Sequence, residues 1–151
     1  MTAIYQKHGL HFLYPENWRL DETTDLSLPC SISLEAPDGN AFWALHLHPQ
    51  NSDGREIIQG VVATLSETYS DLEVSECSGD FDTMLATEKS TAVEAMFFCL
   101  DFLIRVRLQI IPLDGHQGLL WFQAEDRVFD KMEMVFRAIG TSLLTPKPSK
   151  T

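Results

Sequence analysis

The chain has 151 residues, and its 44% hydrophobic and 22% charged content is that of an ordinary soluble globular protein. Asp and Glu number 22 against 11 Lys and Arg, so the net charge is −11 at pH 7. This charge repels phosphate backbones and anionic lipid, and it therefore disfavours nucleic-acid binding and membrane-surface binding. We expect one domain over residues 1–144 and a flexible tail over 145–151.

No signal peptide and no transmembrane span are predicted from the N-terminal residues or from the short apolar runs. The three cysteines are widely spaced and form no C-x-x-C motif. Reduced thiols in a cytoplasmic protein are the simplest account of that pattern.

The first predicted element is a strand over Leu10–Tyr14 that has three large apolar residues on one face. Pro15 cannot continue a central ladder and should end the strand. Trp18 should then anchor the chain in the core. The polar stretch Arg19–Leu28 is predicted to be a loop or a short helical turn.

A hairpin is predicted next, because two segments with period-two alternation flank a proline–glycine turn. Its strands are Ser31–Ala36 and Ala41–His48, and its turn is Pro37–Asn40.

An amphipathic helix follows, with Asp53 and Glu56 as a capping box or Ser52 as the alternative cap. It should end near Tyr69 or Ser70. Its apolar positions are Ile58, Val61, Val62, Leu65 and Tyr69.

The second half of the chain reads as a series of strands joined by short loops, which predicts a mostly antiparallel sheet. Several of these strands are apolar on both faces, so both faces of the sheet should be covered. The predicted segments are the alternating stretch Leu72–Cys77, a turn at Gly79–Asp82, a short strand within Thr83–Lys89, strands at Ala92–Leu100 and Phe102–Ile111 with a reversal at Leu100–Asp101, a turn at Pro112–Gly118 and a last strand at Leu119–Ala124.

A second amphipathic helix closes the domain, with Asp126 as its expected cap. The predicted fold class is therefore α+β: an α/β/α sandwich with a sheet of six to seven strands and a helix on each face. The apolar stripe of this helix is Phe129, Met132, Phe136, Ile139 and Leu143.

Three passages resemble the PsbP-like superfamily, which includes the PsbP extrinsic proteins of photosystem II, a Ran-binding nuclear-import factor and bacterial DcrB-related proteins. Phe12–Trp18 is similar to that group's Phe-x-x-Pro-x-x-Trp opening, Gly118–Ala124 to its last strand and Asp126–Leu143 to its closing helix. The resemblance implies the α/β/α sandwich and a non-enzymatic, protein-binding role. It implies no site residues, and it suggests uncharacterised bacterial proteins as the closest relatives.

His46 and His48 are weak candidates for metal ligands. On a strand, both imidazoles point to the same side, and with a third ligand they could hold zinc or another divalent ion. The alternative is a polar patch of the sheet that is hydrogen-bonded to its neighbours. The sequence offers no third ligand, so no cofactor is expected.

Arg105 and Arg107 share a strand face, and Glu94 lies across the predicted hairpin from them. Cross-strand Arg–Glu pairing is the simpler interpretation, and a pocket for an anion or a carboxylate on the sheet face is the functional one.

The large aromatic residues Trp43, Trp121 and Phe97-Phe98 could line a ligand cleft, although core packing is more common. Asp80-x-Asp82 lacks the rest of a calcium loop and is expected to be a solvated turn. Catalysis by Cys77 or Cys99 would need a histidine that no spacing indicates.

These observations favour a non-enzymatic cytoplasmic module that binds a basic protein partner, with neither nucleic acid nor membrane as a ligand. A binder of a divalent metal or a small anion at the histidines or arginines is the second hypothesis. A cysteine-dependent enzyme is the third, and it predicts an unusually reactive thiol.

Overall fold

The structure, a computed structural model, describes residues 1–23, 30–77 and 92–145. These residues form nine strands and two helices. The elements are β1 Thr2–Lys7, β2 Leu10–Pro15, β3 Arg19–Glu22, β4 Cys30–Glu35, β5 Ala41–Pro49, α1 Gly54–Thr68, β6 Glu73–Glu76, β7 Ala92–Cys99, β8 Phe102–Leu113, β9 His116–Glu125 and α2 Asp126–Leu144.

Seven strands form one antiparallel sheet in the order β3-β4-β5-β9-β8-β7-β6. β9 and β8 lie near its centre, and β3 and β6 form its edges. The predicted α+β class is confirmed, and the observed seven-stranded sheet agrees with the prediction of a mostly antiparallel sheet of six to seven strands.

The two helices cover opposite faces of the sheet, as the apolar pattern of the strands predicted. On the α1 face, Ile58 packs into a cluster formed by alternate residues of β7, β8 and β9. On the other face, Phe129, Phe136 and Ile139 of α2 pack with Trp43 and its neighbours on β4, β5 and β9. Trp18 joins this second core and meets Phe136 edge-on, with ring centroids 6.3 Å apart.

β1 and β2 form a separate two-stranded sheet that the sequence analysis did not anticipate. A two-residue turn joins them, and His8 and Gly9 both have positive φ, at 56° and 75°. Phe12 packs into the core on the α2 face. Ser142 of α2 secures the hairpin because its Oγ accepts a 2.9 Å hydrogen bond from the backbone N–H of Leu13.

The start of α1 agrees with the prediction and the start of α2 does not. Asp53 caps α1, since its side chain accepts a hydrogen bond from the N–H of Arg55. In α2 the cap is Glu125, whose side chain makes no capping bond, and the expected cap Asp126 is already in the first turn. A carboxylate there still favours the positive end of the helix dipole.

Two further expectations were wrong. Residues 19–22 form a short edge strand instead of a loop, because they pair with β4. The turn expected over 112–118 is shorter, since β8 continues through Pro112 to Leu113. Among the described residues, the pairing of β7 with β8 reaches only Gln109, so Pro112 interrupts no described ladder bond on that side.

The predicted turn at Gly79–Asp82, the strand within Thr83–Lys89 and the Asp80-x-Asp82 pair lie outside the described residues, as does all of the predicted tail except Thr145. Over the described ranges, neither helix is long and apolar enough to cross a membrane. All three cysteines are in described segments, and none of them forms a disulfide.

Candidate functional site

The turn between β7 and β8 exposes three large apolar side chains. Leu100 is 90% exposed, and Phe98 and Phe102 are 56% and 52% exposed. We call residues 98–102 the hairpin tip. Phe97 and Ile104 belong to the core on the α1 face, so by alternation Phe98 and Phe102 point to opposite faces of the hairpin. The hairpin tip is therefore apolar on both sides.

Leu100 has an unusual backbone conformation for its residue type. Its φ is 57°, and it is the first of two loop residues between the paired residues Cys99 and Phe102. A leucine in the left-handed region costs roughly 1–2 kcal/mol, which glycine or asparagine would largely avoid. Because its side chain is exposed, Leu100 recovers little of that cost by packing.

The base of the hairpin tip is held in place by α1 and the segment that follows it. Phe97 stacks on Tyr69, the C-cap of α1, with ring centroids 4.0 Å apart. Asp71 accepts a 3.0 Å hydrogen bond from the N–H of Phe98. The apolar side chains are thus presented from a fixed base, which lowers the entropic cost of binding a partner.

A cleft of about 490 Å³ lies next to the hairpin tip, between it and the β4–β5 turn. Most of its lining is apolar, and it includes Phe42, Leu100, Phe102, Ile104 and Val128. Among its described lining residues the charged ones are Glu125 and Arg127, which pair with each other at 3.0 Å.

Carboxylates surround this apolar surface. Asp101 lies within the hairpin tip, Asp71 contacts its backbone, and Asp38 precedes the lining residue Gly39 in the β4–β5 turn. These three carboxylates contribute to the net charge of −11 that the whole chain carries.

His46 and His48 lie elsewhere, on the α1 face of β5, in a groove of about 380 Å³ beside α1. The His46 ring stacks on Trp121, with centroids 5.7 Å apart. Burial and the neighbouring His48 lower the pKa of His46, and burial lowers the pKa of His48. No group of three or more His, Cys, Asp or Glu side chains that could hold a metal ion occurs within the described ranges. The metal hypothesis stays a prediction without a third ligand.

Arg105, Arg107 and Glu94 are brought together on the α2 face. Glu94 contacts Arg105 at 3.4 Å and Arg107 at 3.2 Å. Three carboxylates from α2 complete the cluster: Asp126 and Asp130 contact Arg105, and Glu133 contacts Arg107.

Both guanidinium groups of this cluster also lie over the Phe129 ring, at 4.4 and 4.9 Å from its centroid. Burial alone would lower the pKa of Arg105, but Glu94 and Asp130 raise it overall. Four carboxylates oppose two positive charges, so this arrangement does not favour an anion pocket.

The other residues considered for a ligand cleft or for catalysis lie either in the core or at the surface. Trp43 and Phe97 are buried in the cores on opposite faces of the sheet. Trp121 is partly buried beside His46, and its Nε1 donates a 2.8 Å hydrogen bond to Gln123. Cys99 is exposed and lines the cleft at the hairpin tip.

The sequence analysis placed the reversal at Leu100–Asp101 correctly but did not identify the hairpin tip as a site. One signal was available: a leucine occupied a loop position where glycine, asparagine or aspartate is usual. Phenylalanines two residues to either side of it strengthened that signal.

We compared the chain with known proteins by sequence and by structure. No protein-family model matches it, and no curated protein is similar to it in sequence. The solution structure of cyanobacterial PsbP (CyanoP) from Synechocystis sp. PCC 6803 is similar, with 11% identity, a TM-score of 0.61 and coverage of 93% of this chain and 90% of that one.

Two crystal structures match over similar lengths but with lower TM-scores. One is PA94 from Pseudomonas aeruginosa, a protein of unknown function, with 9% identity, a TM-score of 0.46 and coverage of 98% and 99%. The other is LpqN, involved in cell envelope biogenesis of Mycobacterium tuberculosis, with 12% identity, a TM-score of 0.43 and coverage of 92% and 87%. The overall likeness to the cyanobacterial protein shows that this chain has the PsbP-like fold.

Proposed function

We propose that this protein is a non-enzymatic module that binds another protein through the hairpin tip, and that the bound surface of the partner is basic. The observation that carries the proposal is Leu100, which is 90% exposed at a φ of 57°. A side chain that costs conformational energy and gains little packing contributes little to the fold. Strained residues of this kind concentrate at functional sites.

The apolar surface of the hairpin tip supports a protein ligand. Phe98, Leu100 and Phe102 project from one two-residue turn, and large aromatic and aliphatic anchors dominate the energetics of protein interfaces. The cleft beside them offers a matching concave surface.

Charge supports a basic partner. Asp71 and Asp101 flank the apolar side chains, and the whole chain carries a net charge of −11. Complementary charge at the rim of an interface speeds association and excludes acidic partners. A second copy of this chain would bring the same carboxylates to the contact and is disfavoured for that reason.

The assignment as a non-enzyme rests on the arrangement of reactive groups. The two histidines in the α1 groove belong to no group of three or more His, Cys, Asp or Glu side chains that could hold a metal ion, within the described residues. In the charged cluster under α2, carboxylates pair with both arginines, and the guanidinium groups also pack against Phe129.

The substitution Leu100→Asn tests the proposal because it separates folding from binding. Asparagine adopts positive φ more easily, so the variant should be more stable by about 1 kcal/mol in urea unfolding. It should also retain less partner when the tagged protein is used to capture proteins from an extract of the source organism. Met134→Asn is the matched control, since Met134 is 81% exposed on α2 and lies outside both the hairpin tip and the described lining of the cleft.

The proposal predicts that proteins retained by the wild type and by Met134→Asn are absent with Leu100→Asn, and are released at high ionic strength. Equal retention by all three forms would rule out the hairpin tip. Retention that is insensitive to salt would rule out the basic partner.

A further inference from the structure

We infer that the cleft beside the hairpin tip receives a large apolar side chain from a basic stretch of the partner chain. This inference rests on the proposed function and adds the chemistry of the bound segment. The cleft has a volume of about 490 Å³, and its wall is formed by side chains from β5, β8 and α2, including Phe42, Ile104 and Val128.

The lining of the cleft selects an apolar group. Glu125 and Arg127 are the charged residues among its described lining, and they pair with each other at 3.0 Å, so the described lining carries no net charge. An uncharged side chain with a large apolar surface therefore gains most from entering.

The position of the cleft selects a chain segment instead of a small free molecule. Leu100 and Phe102 form one wall of the cleft and also project into solvent, with 90% and 52% of their surfaces exposed. A small molecule in the cleft would leave the outer surface of these side chains in water. A peptide segment can fill the cleft with one side chain and cover the hairpin tip with its neighbours.

The rim of the cleft selects a basic segment. Asp38 and Asp101 each adjoin a lining residue in sequence, Asp38 in the β4–β5 turn and Asp101 in the hairpin tip. Residues that flank the inserted side chain would come close to these carboxylates. Lysine or arginine is favoured at those positions, and aspartate or glutamate is repelled.

Three synthetic peptides test this inference directly. The first is Lys-Arg-Phe-Leu-Lys-Arg; the second keeps Phe-Leu between Glu and Asp residues; the third keeps the basic residues and replaces Phe-Leu with Ser-Ser. Cys99 is exposed in the cleft wall, so its rate of alkylation reports whether the cleft is occupied. Cys30 and Cys77 are partly buried, lie outside the described lining of the cleft and serve as internal controls.

At a concentration about ten times its Kd, the first peptide should slow alkylation of Cys99 about tenfold and leave the other two thiols unchanged. The acidic and the serine peptides should give little protection. Phe42→Ser and Val128→Ser, which change the cleft from two different elements and leave the hairpin tip intact, should each remove most of the protection. Thermal unfolding of both variants shows whether they are folded.

Equal protection by the acidic or the serine peptide would overturn the inference, as would protection that survives in folded cleft variants. Protection of Cys99 by phosphatidylcholine vesicles but by no peptide would also overturn it, because the hairpin tip would then bind lipid. If no peptide protects Cys99 while Leu100→Asn still abolishes partner capture, the inference fails and the proposed function stands.

Discussion

At position 100 the chain carries a leucine where the turn favours glycine or asparagine. The residue lowers stability slightly and leaves an apolar side chain in water. If stability alone determined the residue at this position, glycine or asparagine would be favoured over leucine. Its presence argues that the hairpin tip serves a contact outside this chain.

His46 should make stability depend on pH. Burial and the neighbouring His48 lower its pKa in the folded state, so the unfolded chain binds a proton more readily. Above the unfolded pKa of about 6.5 the imidazole is neutral in both states and has no effect on stability. Below that pH the unfolded chain takes up the proton first, so the free energy of unfolding falls. Each pKa unit of lowering accounts for about 1.4 kcal/mol.

Urea unfolding at about pH 7.5 and about pH 5.5 measures this effect. His46→Gln should lose less stability on acidification than the wild type. His116→Gln, outside the groove, is the control for removal of an imidazole. An unchanged pH dependence in His46→Gln would show that this histidine is not the source.

Two glycines offer a paired test of packing. A Cβ at Gly118 would lie 2.9 Å from Leu113 Cδ1 and 3.1 Å from Ile111 Cγ1, whereas a Cβ at Gly60 in α1 would meet no atom within 4 Å. Gly118→Ala should therefore destabilise the protein by about 1–3 kcal/mol. Gly60→Ala should stabilise it by about 0.5–1 kcal/mol through helix propensity. Urea unfolding measures both changes. A Gly118→Ala variant that is more stable than the wild type, together with a Gly60→Ala variant that is less stable, would contradict this packing.

At the scale of elements, α2 is attached to the sheet by two different kinds of contact. Its first half meets Arg105 and Arg107 through three carboxylates and the Phe129 ring. Its second half is held by apolar packing and by the Ser142 bond to β2. The first attachment should weaken with salt and the second should not.

Arg107→Ala should destabilise the protein by about 1–3 kcal/mol, because it leaves Glu94 and Glu133 without a shared partner in a largely buried site. Arg127→Ala is the matched control, since the Arg127 side chain is 80% exposed and its loss should cost less than about 0.5 kcal/mol. Chemical denaturation with urea measures both values. Equal losses in the two variants would mean that the cluster contributes no more than a surface ion pair.

The sequence predicted most elements because alternation and helical spacing follow directly from which faces are buried. β1 was missed because its turn, His8-Gly9, lacks the Asn-Gly or Asp-Gly pair that marks a hairpin most clearly. The end of β8 was placed too early because Pro112 has no N–H to donate and reads as a strand terminator, and only the register shows that β8 still pairs with β9 through Leu113.

The hairpin tip could not be identified as a site from the sequence, because local residue patterns do not show which apolar side chains stay exposed. From the sequence, Phe98 and Phe102 are strand phenylalanines, and their burial in the core is expected as much as that of Phe97. Their exposure depends on how much of the β7–β8 hairpin the rest of the chain covers, which is a tertiary property. The Arg105, Arg107 and Glu94 grouping was predicted from register, but the carboxylates from α2 come from a helix about 20 residues further along the chain.

For the whole molecule, the PsbP-like fold gives a rigid sheet with a core on each face and an apolar turn at one end. A net charge of −11 disfavours contact between copies of the chain and, in the proposed function, favours a basic partner. The account therefore depends on one claim: that the hairpin tip is covered by another protein in the cell.

Photocrosslinking in cells of the source organism measures that claim most directly. Benzoylphenylalanine replaces Leu100 in one form of the protein and Met134 in another, and both side chains are exposed before any partner binds. The account predicts a discrete adduct with a different, basic protein from position 100 and none from position 134. No adduct from position 100, or the same adducts from both positions, would contradict it.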